Sequence, residues 1–165
     1  MKLHGCEARA WAATCSAFQL SDDAILQLGG LLISNMGYQY PSNDDLWDGN
    51  WLVLRAELAA PRRGVERTGP FVRTTELAGF TEGLSSFSRL ETDSAELDCL
   101  EASLGISAAR EGNLGAMRVG VSLTPNIENQ THHVSFVGDI SKRTTLLEDI
   151  KRVNRHYPVR GERDA

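Results

Sequence analysis

Carboxylates are the side chains in this sequence that could most readily carry out chemistry, and one group of them surrounds a tryptophan. Asp44, Asp45 and Asp48 lie among turn-forming residues, with Trp47 between them. A carboxylate pair serves acid–base catalysis when burial raises the pKa of one partner. Turn residues keep side chains exposed, so Asx turns that hold a loop are the favoured interpretation. For Trp47, a place in the core and an exposed contact role both remain open, since aromatic side chains anchor interfaces.

A second group of carboxylates lies between Leu90 and Ala102, where the chain has no basic residue. Its members are Glu91, Asp93, Glu96, Asp98 and Glu101. With a net charge of -5 for the whole chain, such a surface repels nucleic acid and attracts a basic protein. The alternative is a solvated hairpin that charge keeps soluble.

Other chemistries have little support in the sequence. His132 and His133 are adjacent on a predicted strand, so their side chains point to opposite faces and do not share one metal ion. The three cysteines, Cys6, Cys15 and Cys99, lack CxxC spacing; we expect reduced thiols in a cytoplasm, with Cys99 in the core, although a Cys6–Cys15 disulfide is an open alternative.

Motifs for catalysis, phosphate binding and membrane insertion are missing from the sequence. It contains no GxSxG element and no phosphate-binding loop, and no apolar run approaches the roughly 20 residues that span a bilayer. We therefore predict no catalytic residue, no cofactor and no metal site, and neither a nucleic-acid nor a membrane partner.

A strictly alternating segment follows the acidic loop and predicts a half-buried strand. Leu52, Leu54, Ala56 and Leu58 share one face of this segment, as the period of two in a strand requires. Further strands are predicted at residues 16–19, 24–36, 65–73, 95–99, 103–108, 117–124 and 132–140. Gly29 and Gly30 predict a bulge or break in the second of these, and Gly69-Pro70 predicts an edge position or bulge.

Two segments have helical periodicity. The first is predicted to begin with Thr74 or Thr75 as its N-cap and to bury a stripe that consists of Leu77, Phe80, Leu84 and Phe87. The second is predicted to begin near Thr145, where TTLLE fits a capping box, and to end before Pro158. Its buried stripe consists of Leu146, Ile150, Val153 and Tyr157.

The element order is strands, helix, strands, helix, with short connections between half-polar strands. This order predicts an α+β domain in which antiparallel meanders are covered by two amphipathic helices. We expect one domain over residues 16–158, a poorly ordered extension at 1–15 and a polar tail at 159–165. The passages PFVRTTELAGF and SFVGDISKRTTLLEDI are alike and hint at two similar halves.

The motif order also resembles a known family. GYQYP, an acidic spacer and then DGNWLVLRAEL resemble the opening of the WapI-type immunity proteins and their uncharacterised bacterial relatives. The segments FVRTTELAGFTEGLSSF and AELDCLEASLGIS and the closing helix extend the similarity from about Phe18 to Tyr157. The pair His132-His133 departs from the family pattern.

The resemblance implies a cytoplasmic, non-catalytic protein that binds the toxic domain, often an RNase, of a contact-dependent bacterial toxin. We expect a monomer or a weak homodimer. Charge and expected exposure, not the family pattern, suggest the partner-binding residues Asp44, Asp45, Trp47, Asp48, Glu91, Asp93, Glu96 and Asp98. The alternative is a non-enzymatic α+β domain that binds an unknown protein or small molecule. A small molecule would bind in a pocket between the helices and the sheet.

Overall fold

A computed structural model describes residues 24–60, 63–112, 115–126 and 130–161 of the 165-residue chain. The predicted extension at 1–15 and the predicted strand at 16–19 lie outside these residues. The first half consists of β1 (Ala24–Leu28), β2 (Leu31–Tyr38), β3 (Trp51–Ala60), β4 (Arg63–Arg73) and α1 (Thr74–Ser88). The second half consists of β5 (Ser94–Asp98), β6 (Leu104–Glu111), β7 (Ala116–Asn126), β8 (Gln130–Asp139) and α2 (Lys142–His156).

Each half is a four-stranded antiparallel meander followed by a 15-residue helix. The strand orders are β1-β2-β3-β4 and β5-β6-β7-β8. This arrangement confirms the predicted α+β class and repeats the same element order in both halves, as the similarity of the two helix entries suggests.

Turn and bulge residues act where the sequence predicts. Gly29 has φ +58° and turns the chain between β1 and β2, a conformation that glycine adopts without the steric cost of a side chain. Pro70 lies in β4, an edge strand whose register against β3 shifts between Leu52 and Val53. The resulting bulge leaves both Phe71 and Val72 fully buried.

Both helices contribute their predicted stripes to one core. Leu77, Phe80, Leu84 and Phe87 of α1 are buried, as are Leu146, Ile150 and Val153 of α2, and Tyr157 packs against them. The inward residues of both sheets complete this core. At Gly83, an added Cβ would lie 3.6 Å from the Cβ of Ala95 on β5, so α1 is close to that strand here.

The predicted helix starts were wrong in detail. Arg73 occupies the N-cap position of α1, and its backbone N–H donates to the carboxylate of Glu76 (2.8 Å). Helix α2 begins at Lys142, ahead of the predicted start at Thr145. The reason is the turn that follows β8, where the Asp139 carboxylate accepts the backbone N–H of Ser141 (2.7 Å) and so directs the chain into the helix earlier.

Within the described part of the chain, no helix is long and apolar enough to cross a membrane.

Candidate partner-binding surface

The loop at residues 39–50, called here the Trp47 loop, is fixed by Arg160 from the C-terminal segment. The Arg160 guanidinium donates to the carbonyls of Tyr40 (3.2 Å), Pro41 (3.1 Å) and Asn43 (3.0 Å). It also lies 3.4 Å from the centroid of the Tyr38 ring, a cation–π contact. One side chain therefore satisfies three loop carbonyls and ties the C-terminal segment to the loop between β2 and β3.

Asn50 is a fully buried second anchor for the same loop. Its amide nitrogen donates to the carbonyls of Leu46 (2.8 Å) and Arg160 (2.9 Å). Its carbonyl oxygen accepts the backbone N–H of Arg160 (2.9 Å) and the hydroxyl of Thr74. The predicted role of Thr74 as N-cap is therefore wrong, because its hydroxyl serves the loop. Asn50 connects the loop, the C-terminal segment and the start of α1.

Close backbone approaches add to the rigidity of the Trp47 loop. A Cβ at Gly49 would lie 2.6 Å from the carbonyl oxygen of Asn43. Gly161 has φ +76°, and a Cβ there would lie 2.6 Å from the nitrogen of Leu46. Neither position has room for a side chain.

Asp45 shapes the loop from within. One oxygen of its carboxylate accepts the backbone N–H groups of Trp47 and Asp48, both at 2.7 Å. These hydrogen bonds, that of Asp48 first, lower the pKa of Asp45 below its usual range. The Asx turn expected from the sequence is present, and the Asp45 carboxylate positions Trp47.

Trp47 stands out from this loop with 68% of its surface exposed. The guanidinium of Arg73 lies 5.3 Å from the Trp47 ring and 5.5 Å from that of Trp51, which is half-buried. Arg73 is in turn paired with Glu76 (3.3 Å). The indole thus has a defined orientation while most of it faces solvent.

The eight residues suggested from the sequence do not form one cluster. Asp44 and Asp48 are exposed beside Trp47, close to the start of α1. Glu91 and Asp93 follow the other end of this helix, and 15 residues at 1.5 Å each separate its ends by roughly 22 Å. The two groups therefore lie at opposite ends of α1 and do not form one continuous acidic surface.

Pairing further distinguishes these carboxylates. Arg89 donates to both oxygens of Glu91 (2.7 Å each), and Arg110 lies 3.6 Å from Asp93. Among the residues that the structure describes, Glu96 and Asp98 form no ion pair and both are exposed. Their alternation with buried Ala95 and Leu97 places them on the outer face of β5.

That outer face contains an open groove of about 490 Å³, called here the sheet groove. It is lined by Glu96, Leu97, Asp98, Gly105, Ile106, Ser107, Gly120, Val121, Ser122, His133, Val134 and Ser135. As predicted, His132 and His133 belong to opposite faces: His132 is opposite buried Leu123, whereas His133 is opposite Ser122 in the groove.

A small cavity lies between the helices and the sheets. A cavity of about 20 Å³ lies among aliphatic side chains, including Leu54, Leu77 and Ile150. This volume suffices for about one water molecule, whereas small-molecule sites occupy about 300–1,000 Å³. This cavity is therefore too small to be the pocket that the alternative function requires.

Cys99 is the cysteine within the described residues, and it is buried as predicted. Burial, with a further contribution from nearby Glu76, raises the pKa of the Cys99 thiol well above its usual range. The thiol stays protonated and unreactive at neutral pH. The described residues contain no group of three or more histidine, cysteine or acidic side chains that could hold a metal ion.

Comparison with known proteins gives two similar solved structures and no match among curated proteins. The plant transcriptional regulator PBF-2 is 12% identical, with a TM-score of 0.44 over 77% of this chain and 75% of that one. WHY3 from Arabidopsis thaliana is 14% identical, with a TM-score of 0.41 over 80% of this chain and 85% of the other.

A family comparison covers most of the sequence. The family described as immunity protein WapI-like matches residues 25–158, a span that includes the Trp47 loop, both helices and nearly all of both sheets. Because the match extends over well over half of the chain, this protein belongs to the WapI-like immunity protein family.

Proposed function

We propose that this protein is a non-catalytic, cytoplasmic immunity protein that binds and neutralises the toxic domain of a cognate bacterial toxin. The observation that carries the proposal is Trp47, which is exposed yet held in place by Asp45, Arg73 and the anchored loop. An aromatic side chain of this kind is typical of interface hot spots. A rigid loop loses little conformational freedom on binding, which favours affinity.

The charges near Trp47 suit a basic partner. The Asp44 carboxylate is 89% exposed and lies 4.0 Å from Arg160, and Asp48 is exposed beside the indole. A toxin that is an RNase needs a basic face to bind phosphates. Acidic groups opposite such a face accelerate association and discriminate against partners of the wrong charge.

The first test is co-purification of the tagged protein with the C-terminal domain of a large secreted toxin encoded beside its gene. We expect a 1:1 complex in sedimentation. Replacing Trp47 by alanine removes a central contact and should weaken Kd by about 30-fold, the equivalent of roughly 2 kcal/mol. The control is Met36→Ala, because Met36 on β2 has the same exposed fraction, 68%, but lies outside the loop.

The same assay tests the charges. Asp44→Asn combined with Asp48→Asn should slow association and reduce its dependence on salt. Asp45 is left intact in this variant because its loss would disturb the loop itself. Absence of a complex, together with failure to protect cells that express the toxin, would refute the proposed function.

A further inference from the structure

The middle of the outer face of the second sheet is formed largely by glycine and serine. Two rows of residues lie side by side in register across the four strands. One row is Glu96, Ser107, Gly120 and Ser135, and the other is Asp98, Gly105, Ser122 and His133. The strands are about 4.8 Å apart, so in the first row serine and glycine extend over roughly 10 Å from β6 to β8, whereas the second row ends on β8 with the larger side chain of His133.

Serine hydroxyls occupy the space above the glycines of this face. A Cβ at Gly120 would lie 2.6 Å from the hydroxyl of Ser107, and one at Gly105 would lie 2.6 Å from that of Ser122. The floor of the sheet groove is therefore made of backbone and hydroxyl groups. Its volume of about 490 Å³ is open to solvent along the sheet, a shape that suits a chain segment rather than an enclosed small molecule.

The charge of the sheet groove is negative on one side. Glu96 and Asp98 are two residues apart on one strand face, a separation of roughly 7 Å, and form its β5 wall. Arg118 lies one row away on the same face, but its charge is offset by an ion pair with Glu111. The two free carboxylates therefore favour a cationic occupant and repel phosphates.

We infer that the sheet groove is a second surface on which the same toxin domain docks, and that it binds a segment of the toxin with lysine or arginine side chains. The inference rests on the proposed function. In the complex, the cationic side chains pair with Glu96 and Asp98 while the backbone of the segment lies close to the Gly/Ser floor. Larger residues at positions 107, 122 or 135 would hold that segment away.

A series of contacts connects the end of β5 to the Trp47 loop. Two residues after Asp98, the backbone N–H of Leu100 donates to the Glu76 carboxylate (2.9 Å). Glu76 pairs with Arg73, which lies against Trp47. We expect a partner that covers a standard area of about 800 Å² to contact both surfaces.

The test measures binding of the full-length protein to the toxin domain encoded beside its gene, by biolayer interferometry at two salt concentrations. Glu96→Gln combined with Asp98→Asn should weaken Kd by about tenfold, mainly through slower association. The control is Glu82→Gln with Glu148→Gln, which removes two exposed carboxylates from α1 and α2, the second of them paired with Lys151 (3.0 Å). It should change Kd less than twofold.

A substitution that fills the groove provides a second measurement. Ser135 is exposed on β8, so Ser135→Arg is expected to keep the wild-type circular dichroism and melting temperature. It should weaken Kd by about 100-fold, because it adds both bulk and a repelling charge.

The outcomes separate this inference from the proposed function. Wild-type affinity in both groove variants would overturn the inference and leave the proposed function intact. Failure of the wild-type protein to bind the toxin domain would overturn both. Two further results would assign the groove to another occupant and likewise overturn the inference. One is a wild-type dimer that Ser135→Arg converts to a monomer. The other is wild-type binding of a single-stranded oligonucleotide whose affinity Ser135→Arg changes.

Discussion

Asn50 shows what the family-like motif DGNWL encodes. This side chain is completely buried and is joined by four hydrogen bonds to Leu46, Thr74 and the backbone of Arg160. The other motif, GYQYP, supplies the Tyr38 ring and the carbonyls that bind the Arg160 guanidinium. Both motifs therefore build the loop, whereas its exposed residues, Trp47 among them, are available to a partner.

We expect Asn50→Ala to destabilise the protein by about 2–4 kcal/mol. It removes these four hydrogen bonds and a longer one to the Asp45 carbonyl (3.5 Å). Each is worth about 0.5–1.5 kcal/mol, and their loss leaves buried partners unsatisfied. Urea unfolding measures the change. Thr92→Ala is the control, because its exposed hydroxyl makes one hydrogen bond to Ser94, and it should stay within about 0.5 kcal/mol of wild type. A loss below about 1 kcal/mol for Asn50→Ala would contradict its role as an anchor.

Helix α1 ends in a turn that normally uses glycine. Leu90 has φ +63°, and its backbone N–H donates to Phe87 (3.1 Å) while that of Glu91 donates to Ser86 (2.9 Å). This is the Schellman arrangement, in which glycine is the preferred residue at the left-handed position. A leucine there carries steric strain. Because 53% of the surface of Leu90 is exposed, its burial offsets little of that strain.

Replacing Leu90 by glycine should stabilise the protein by about 0.5–1 kcal/mol, because relief of the left-handed strain exceeds the added chain entropy. The melting temperature and the urea midpoint report the change. Leu100→Gly provides a contrast, since Leu100 is also exposed but lacks a positive φ angle; it should destabilise. Equal loss of stability in both variants would show that Leu90 is not strained.

The two sheets behave as one body because they contact each other at both edges of the first sheet. At one edge, the turn residue Gly29 lies against the ring of Phe136 on β8, where an added Cβ would approach to 2.5 Å. At the other, the Arg67 guanidinium on β4 donates to the carbonyls of Thr124 (3.2 Å) and Pro125 (3.1 Å) at the end of β7. These contacts and the shared core predict a single cooperative unfolding transition.

Gly29→Ala tests the contact between the sheets against a control with the same backbone. Gly112 has φ +59°, close to the +58° of Gly29, but an added Cβ there meets nothing within 4 Å. Gly112→Ala should therefore cost about 1 kcal/mol from backbone strain alone. Gly29→Ala should cost about 1–3 kcal/mol more, because Phe136 must move from its packed position. Equal losses in urea unfolding would show that the sheets do not meet tightly at this point.

Local periodicity explains why most elements could be predicted from the sequence. Alternation in β3 and β7 and the two apolar helix stripes depend on neighbours within a few residues, and all four patterns correspond to buried faces. Turn chemistry at Gly29 and Pro70 was equally readable. The helix starts were harder to predict from the sequence. Thr74 and Thr145 match a capping pattern, whereas in the folded chain the carboxylates of Glu76 and Asp139 accept the backbone N–H groups near these ends.

The candidate surfaces depended on contacts that no local pattern contains. Arg160 belongs to the segment predicted as a polar tail, yet it holds residues about 120 positions earlier in the chain. The sequence also does not distinguish one exposed carboxylate from another. Only the fold places them in a loop, at a helix end or on a strand face, with different ion pairs. The sequence by itself thus determined the elements, the core and the family. The tertiary structure alone decided which charges are free and which surfaces adjoin, because distant segments meet only in the folded chain.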